Sequence, residues 1–213
     1  MSRQRILFIG NSFTARNDLP ELTATIAATS GRTIDHQLVS AGGASLRRHW
    51  NAGEASKLIQ RGMFDVVVLQ EQSTLPIKNR SRMHENVRLF DQLVRDNGAK
   101  TALYMTWARQ HAPQTQAAIT DAYTDIAKET GAILVPVGVA WDQCLRERDH
   151  PALFDADGSH PSLAGSYLAA CVFVGVLCGK AALKKTPAVA GLEARQTKQL
   201  AQIGRKTSPA AAR

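Results

Sequence analysis

The chain has 213 residues, 44% hydrophobic and 21% charged, a size and composition that fit one globular domain with a substantial core. No apolar run approaches the ~20 residues of a helical membrane span, and Met1-Ser2-Arg3-Gln4-Arg5 leads into an apolar stretch too short for a signal-peptide core, so a cytoplasmic location is expected. The net charge of +8 lies mostly beyond Gly179. Residues 1–179 carry 18 basic against 17 acidic side chains, so a solvated basic tail is expected rather than a nucleic-acid surface.

In chain order, the apolar run Ile6–Ile9 predicts a first buried strand, followed at once by Gly10-Asn11-Ser12-Phe13-Thr14. A helix over Leu19–Ser30 has Pro20 in its first turn, where the missing N–H costs nothing. Gly31 then precedes a strand at Thr33–Val39, and Asp65–Leu69 gives a third. Ser81–Asp96 places Met83, Val87, Phe90 and Val94 on one helical face. Gly98 and Gly131, at expected helix ends, precede strands at Thr101–Met105 and Ala132–Pro136. Helices are predicted at Pro113–Thr130, Ser162–Gly179 and Ala188–Ile203, the last with Leu192, Leu200 and Ile203 as apolar positions.

Alternating helices and nearly all-apolar strands imply a parallel sheet covered on both faces. The expected fold is α/β, a flavodoxin-like three-layer α/β/α sandwich on a five-stranded parallel sheet, with a single domain over residues 1–204 and a flexible basic tail at 205–213. Cys144, Cys171 and Cys178 are odd in number and lack CxxC spacing, so a disulfide framework or zinc site is not expected; Cys171 and Cys178 read as core. No metal and no cofactor is expected.

Ligands of open α/β sheets gather beyond the carboxyl ends of the strands, where Ser12 stands. Asp157 and His160, three residues apart, let a carboxylate hold Nδ1–H of an imidazole and leave Nε2 free as a base. Pro161 restricts His160 to extended backbone and Ser162 is a good N-cap for the next helix.

Gly10-Asn11-Ser12, Gly42-Gly43 and Asp157-x-x-His160, in this order over about residues 5–179, resemble the SGNH/GDSL hydrolase superfamily. Ile9–Thr14, Gly42–Leu46 and Val68–Ser73 resemble a bacterial branch with Asn before the nucleophile, similar to carbohydrate esterases. The resemblance implies ester hydrolysis through a serine acyl-enzyme, without a metal. It implies Ser12 as nucleophile, His160 as base, Asp157 as its orienting carboxylate, and an oxyanion hole from the N–H groups of Ser12 and Gly43. Where many members carry Gly-x-Asn-Asp, this chain has Gln70-Glu71-Gln72-Ser73-Thr74. A glutamine amide is a substitute donor, Gln70 being preferred to Gln72 because it follows the strand directly.

Other residues have two readings each. Asn11 is a candidate substrate contact. His49 either lines the cleft or is a partly exposed helix residue. Trp107 either stacks on a sugar or acyl group or covers the sheet edge. Arg109 meets an acidic substrate or a surface carboxylate, and Glu71 is a solvated charge or orients a neighbouring amide. His36, His84, His111 and His150 have no comparable partner spacing. The expected function is a serine esterase acting on short-acyl esters, acetyl above all, of a carbohydrate or small molecule. The alternatives are a flavodoxin-like module binding a phosphate or cofactor at Asn11, Ser12 and Thr14, and a non-catalytic glycan-binding relative.

Overall fold

A computed structural model of the chain describes residues 3–208. Strands β1 (Arg3–Gly10), β2 (Thr33–Ser40), β3 (Val66–Leu69), β4 (Lys100–Tyr104) and β5 (Ile133–Val135) form one sheet in the order β2-β1-β3-β4-β5, with every pair parallel. From β1 the chain runs outward to β2, then returns to the other side of β1 as β3. This reversal opens a crevice at the carboxyl end of β1, where loops lead away in opposite directions.

Ten helices surround the sheet among the described residues: α1 (Ser12–Ala15), α2 (Leu19–Ala28), α3 (Leu46–Ala52), α4 (Glu54–Gln60), α5 (Leu75–Lys78), α6 (Arg80–Asp96), α7 (Gln116–Thr130), α8 (Val137–Leu145), α9 (Leu163–Leu177) and α10 (Ala194–Thr207). Strand alternation splits the core. Ile6, Phe8, Val66, Val68, Ala102 and Tyr104 face a layer built on α2, α8 and α9. Leu7, Ile9, Val67, Leu69 and Leu103 face α3, α4, α6 and α7. Successive side chains of a strand point to opposite faces, so strands buried on both sides read as the unbroken apolar runs seen in the sequence.

The five strands and their parallel pairing match the expectation. Several helices do not. Leu46–Ala52, Glu54–Gln60 and Val137–Leu145 leave no long periodic signal, because seven to nine residues complete only about two turns. The end of the chain also differs. α10 begins at Ala194, later than expected, and continues through Thr207; Ser208 is buried and its Oγ donates to the Gly204 carbonyl. The proposed boundary at residue 204 therefore falls inside a packed helix, and Arg205 and Lys206 sit on its exposed face. The rest of the expected tail lies outside the described residues.

α9 is apolar around its whole circumference and is buried from Ala164 to Gly175. α8 and α10 cover it, and small residues set the approach. A Cβ built on Gly165 would meet the Leu153 carbonyl and the Trp141 ring. A backbone carbonyl cannot yield as a flexible side chain can, so Gly165→Ala is expected to cost about 1–3 kcal/mol, read as a lower midpoint in chemical denaturation. Cys144 and Cys171 are buried as small hydrophobes and Cys178 is half-buried, all three as free thiols. Among the described residues no helix is long and apolar enough to cross a membrane.

Candidate active site

β1 ends at Gly10, whose backbone lies so close to Thr14 Oγ1 and Gln70 Oε1 that no Cβ fits there. The chain then turns into α1 through the extended residue Asn11, whose Oδ1 accepts the Phe13 N–H at 3.1 Å. This N-cap leaves Ser12 as the first helical residue, half-buried, at the rim of the sheet. Its hydroxyl lies 2.8 Å from His160 Nε2. Behind the ring, His160 Nδ1 meets the Asp157 Oδ2 atom. With Nδ1 donating to the carboxylate, Nε2 is the acceptor that faces the Ser12 hydroxyl.

Asp157 holds the ring and the backbone at once. Its Oδ1 accepts the N–H groups of Ser159 and His160, both at 2.9 Å. The His160 side chain first, and then these two N–H groups, hold the Asp157 carboxyl well below the usual carboxylate range. The loop is closed at its base by a bridge between Phe154 and Pro161, with Asp155 N–H donating to the His160 carbonyl at 2.9 Å.

Two backbone donors border the same hydroxyl's loop system. The N–H of Ser12 and that of Gly43 make no hydrogen bond among the described residues. Gly43 is exposed at φ +63°, a conformation that favours glycine. Its loop is fastened on both sides. Asn11 Nδ2 donates to the Ala44 carbonyl at 3.0 Å, and Leu46 N–H donates to Glu71 Oε1 at 2.9 Å.

Those fastenings decide several of the sequence readings. Asn11 is 2% exposed, so it braces the Gly43 loop instead of lining the cleft. Gln70 is fully buried; its Oε1 accepts Asn11 N–H and Thr14 Oγ1–H, each at 2.9 Å, and its Nε2 donates to the Glu71 carbonyl. The preference for Gln70 as an oxyanion donor is therefore corrected: its amide is turned inward. Gln72 is half-buried; its Oε1 accepts from Thr74, and its Nε2 makes no hydrogen bond among the described residues.

Glu71 is a buried carboxylate, not a solvated charge. Oε1 accepts the N–H groups of Leu46 and Gln72, and Oε2 accepts Asn86 Nδ2–H at 2.8 Å, so one side chain ties the loops after β2 and β3 to α6. Burial pushes its pKa up, while these donors oppose the shift. Asn86 cannot simply flip, because its Oδ1 accepts Arg47 Nε–H at 3.0 Å. Glu71→Gln would set one amide donor against another, and is expected to cost about 1–3 kcal/mol in thermal or chemical melts.

An aromatic stack supports His160. The ring of Phe13 meets it edge-on at 5.4 Å, and Phe13 stacks on Trp107 at 4.9 Å and 9°. Trp141 stacks on Trp107 at 3.7 Å and 4°. Trp107 is 2% exposed and its Nε1–H donates to the Ser159 carbonyl at 3.1 Å. With its flat surfaces taken by Phe13 and Trp141, this indole is no platform for a sugar; it clamps the Asp157–His160 loop. His49 is likewise buried, and its Nε2–H donates to the Gly10 carbonyl at 2.7 Å beneath the serine turn. Desolvation lowers its pKa, and its burial places His49 in the core rather than in the cleft. Arg109 is exposed and forms no ion pair among the described residues.

Asn17 was not singled out in the sequence. At φ 54° it adopts the left-handed conformation, and its Nδ2 donates to the Pro161 carbonyl at 3.2 Å and to Ser166 Oγ at 2.9 Å. It thereby links the segment after Ser12 to the residue after His160. The Asn17-Asp18 pair, both at positive φ, was the available signal, because short polar side chains tolerate this region.

No family model matches the sequence, and no curated protein matches it. Solved structures do. One, described as "a putative SGNH hydrolase" from Slackia heliotrinireducens, is 26% identical, with a TM-score of 0.68 over 81% of this chain and 97% of that one. A DUF4886 family protein from Bacteroides uniformis is 20% identical, with a TM-score of 0.77 over 96% and 94%. A catalytic mutant of an acetylxylan esterase from Geobacillus stearothermophilus is 19% identical, with a TM-score of 0.57 over 80% and 92%. The chain has the fold of the SGNH hydrolases, and its structural neighbours include the acetylxylan esterase.

Proposed function

We propose that the protein is a serine esterase that hydrolyses carboxylic esters, short-acyl esters first among them, with Ser12 as nucleophile. The observation that carries this proposal is the 2.8 Å contact between Ser12 Oγ and His160 Nε2, with Asp157 at the opposite ring nitrogen. Ser12 attacks the ester carbonyl as His160 takes its proton, and the N–H groups of Ser12 and Gly43 stabilise the oxyanion. Gln72, rather than Gln70, is the side-chain amide left to serve as a third donor. His160 then protonates the leaving alkoxide, and water repeats the steps on the acyl-enzyme. Asp157 fixes the tautomer and stabilises the imidazolium. The resemblance to carbohydrate esterases in sequence and the acetylxylan esterase among the structural neighbours favour an acetylated sugar or similar small ester as substrate.

A serine-reactive fluorophosphonate tests the assignment. Labelling of the native protein at Ser12, absent from Ser12→Ala, supports it; an unlabelled Ser12 together with no turnover of acetyl to octanoyl esters rejects it. The pH–rate profile provides a second reading. Because the Asp157 carboxyl is held low, it stays ionised as pH falls through the mildly acidic range. Between about pH 4 and pH 9, the acid side of the kcat/KM profile should therefore carry no limb from protonation of Asp157.

A further inference from the structure

Beside the oxyanion loop lies a cleft of about 410 Å³ that Arg47, Arg48 and Arg82 line together with Ser45, Leu75 and Asn86. Among the described residues no carboxylate belongs to its lining. Ser45 follows Gly43 by two residues and Leu75 closes the loop after β3, so the cleft opens on the same carboxyl rim of the sheet as Ser12. Arg48 Nη1 approaches the Gly42 carbonyl at 3.5 Å, next to the free Gly43 N–H.

Two of the three guanidinium groups that converge here are left without an acid. Arg16, Arg80, Arg88 and Arg146 each pair with an Asp or Glu. Arg48 and Arg82 have no carboxylate partner among the described residues, and Arg47 reaches Glu85 only at 3.8 Å. Residues 1–179 are nearly neutral overall, so this convergence is not a sample of a uniformly basic surface. Guanidinium groups match carboxylate and other oxyanion groups through paired N–H donors, and a concave wall of one sign concentrates the field at its mouth.

We infer that the arginine cleft is a specificity subsite for a negatively charged group, a carboxylate above all, carried by the ester that Ser12 hydrolyses. This rests on the esterase proposal and narrows its substrates to acidic esters. The charge can sit on the acyl part or on the alcohol part, and paired substrates distinguish the two. 4-Nitrophenyl hydrogen succinate is compared with the neutral 4-nitrophenyl succinamate, and 4-acetoxybenzoate with 4-acetoxybenzamide, each with Ser12→Ala as the blank.

At low salt the charged member of at least one pair should show a kcat/KM about tenfold or more above its neutral partner. That ratio should shrink as ionic strength rises from about 0.02 M to about 0.5 M. In Arg82→Gln and Arg48→Gln it should fall towards one, with Arg82→Lys retaining part of it, whereas Arg61→Gln at the far end of β3 should leave it unchanged. Turnover of neutral esters with both ratios near one in the native protein overturns the subsite while leaving the esterase intact. A ratio that survives both glutamine substitutions also overturns it. If none of the four esters turns over and Ser12 resists the phosphonate, the esterase proposal fails and the subsite fails with it.

Discussion

Replacing Ser12 with alanine is expected to lower kcat/KM for a short-chain ester by about 10⁴- to 10⁶-fold and to leave Tm almost unchanged. Among the described residues the Ser12 hydroxyl has one hydrogen-bond partner, His160 Nε2, which is itself half-buried and can turn to water. Its removal therefore orphans no deeply buried group and opens no core cavity, so the thermal cost should be small. The kinetic cost is large because attack, proton transfer and acyl-enzyme formation all pass through that oxygen. His160→Ala should fall to a similar level, and the double variant little further, since the groups act as one unit. Steady-state kinetics and circular-dichroism melts on the same preparations decide the matter. A Ser12→Ala protein that keeps more than about 1% of native activity would assign the chemistry to another group.

The second large effect is expected at Trp107, which touches no substrate. Trp107→Ala removes an indole stacked between Phe13 and Trp141 and should destabilise the fold by about 3–5 kcal/mol. For a domain of this size that is a fall in Tm of about 6–20 °C. Trp107→Phe separates packing from positioning. It keeps an aromatic ring in the stack but loses the N–H that holds the Ser159 carbonyl, one residue before His160. The expected result is a modest change in Tm with a fall in kcat of about tenfold and little change in KM, because a slightly displaced imidazole hinders proton transfer more than binding. Equal losses in Tm and kcat for both variants would reduce Trp107 to a core residue.

The strands were legible in the sequence because burial on both faces leaves apolar runs that glycines punctuate. The pairing of Asp157 with His160 was legible because a short Asp-x-x-His turn constrains direction strongly, whereas the meeting of that pair with Ser12 was implied by the resemblance to the SGNH/GDSL hydrolases. What sequence could not supply was which side of a rim residue the rest of the molecule covers. Gln70 stands just after β3, yet its N–H still donates to the Ile9 carbonyl at 2.9 Å, so strand alternation carries its side chain inward beneath Asn11 and Thr14. His49 lies on a helix of seven residues, too short for its buried face to show as a period. Trp107 lies beyond its strand, and only the distant Trp141 and Phe13 decide that its surfaces are closed. Glu71 was ambiguous for the same reason, since its donors Leu46 and Asn86 come from elements on either side of it in sequence.

The close fit of α10 against α9 has a consequence for the order of events during synthesis. Gly204 lies against Cys171, and Ser208 against Gly175, on a helix with no polar side to offer water. When α9 emerges from the ribosome, the segment that will cover this flank is still enclosed in the exit tunnel and cannot yet dock. Until that segment is released the nascent chain presents an uncovered apolar flank, a natural point for chaperone capture or misassembly. Recombinant versions shortened before Ala194 should accordingly be recovered as inclusion bodies, even though every residue near Ser12 and His160 is retained.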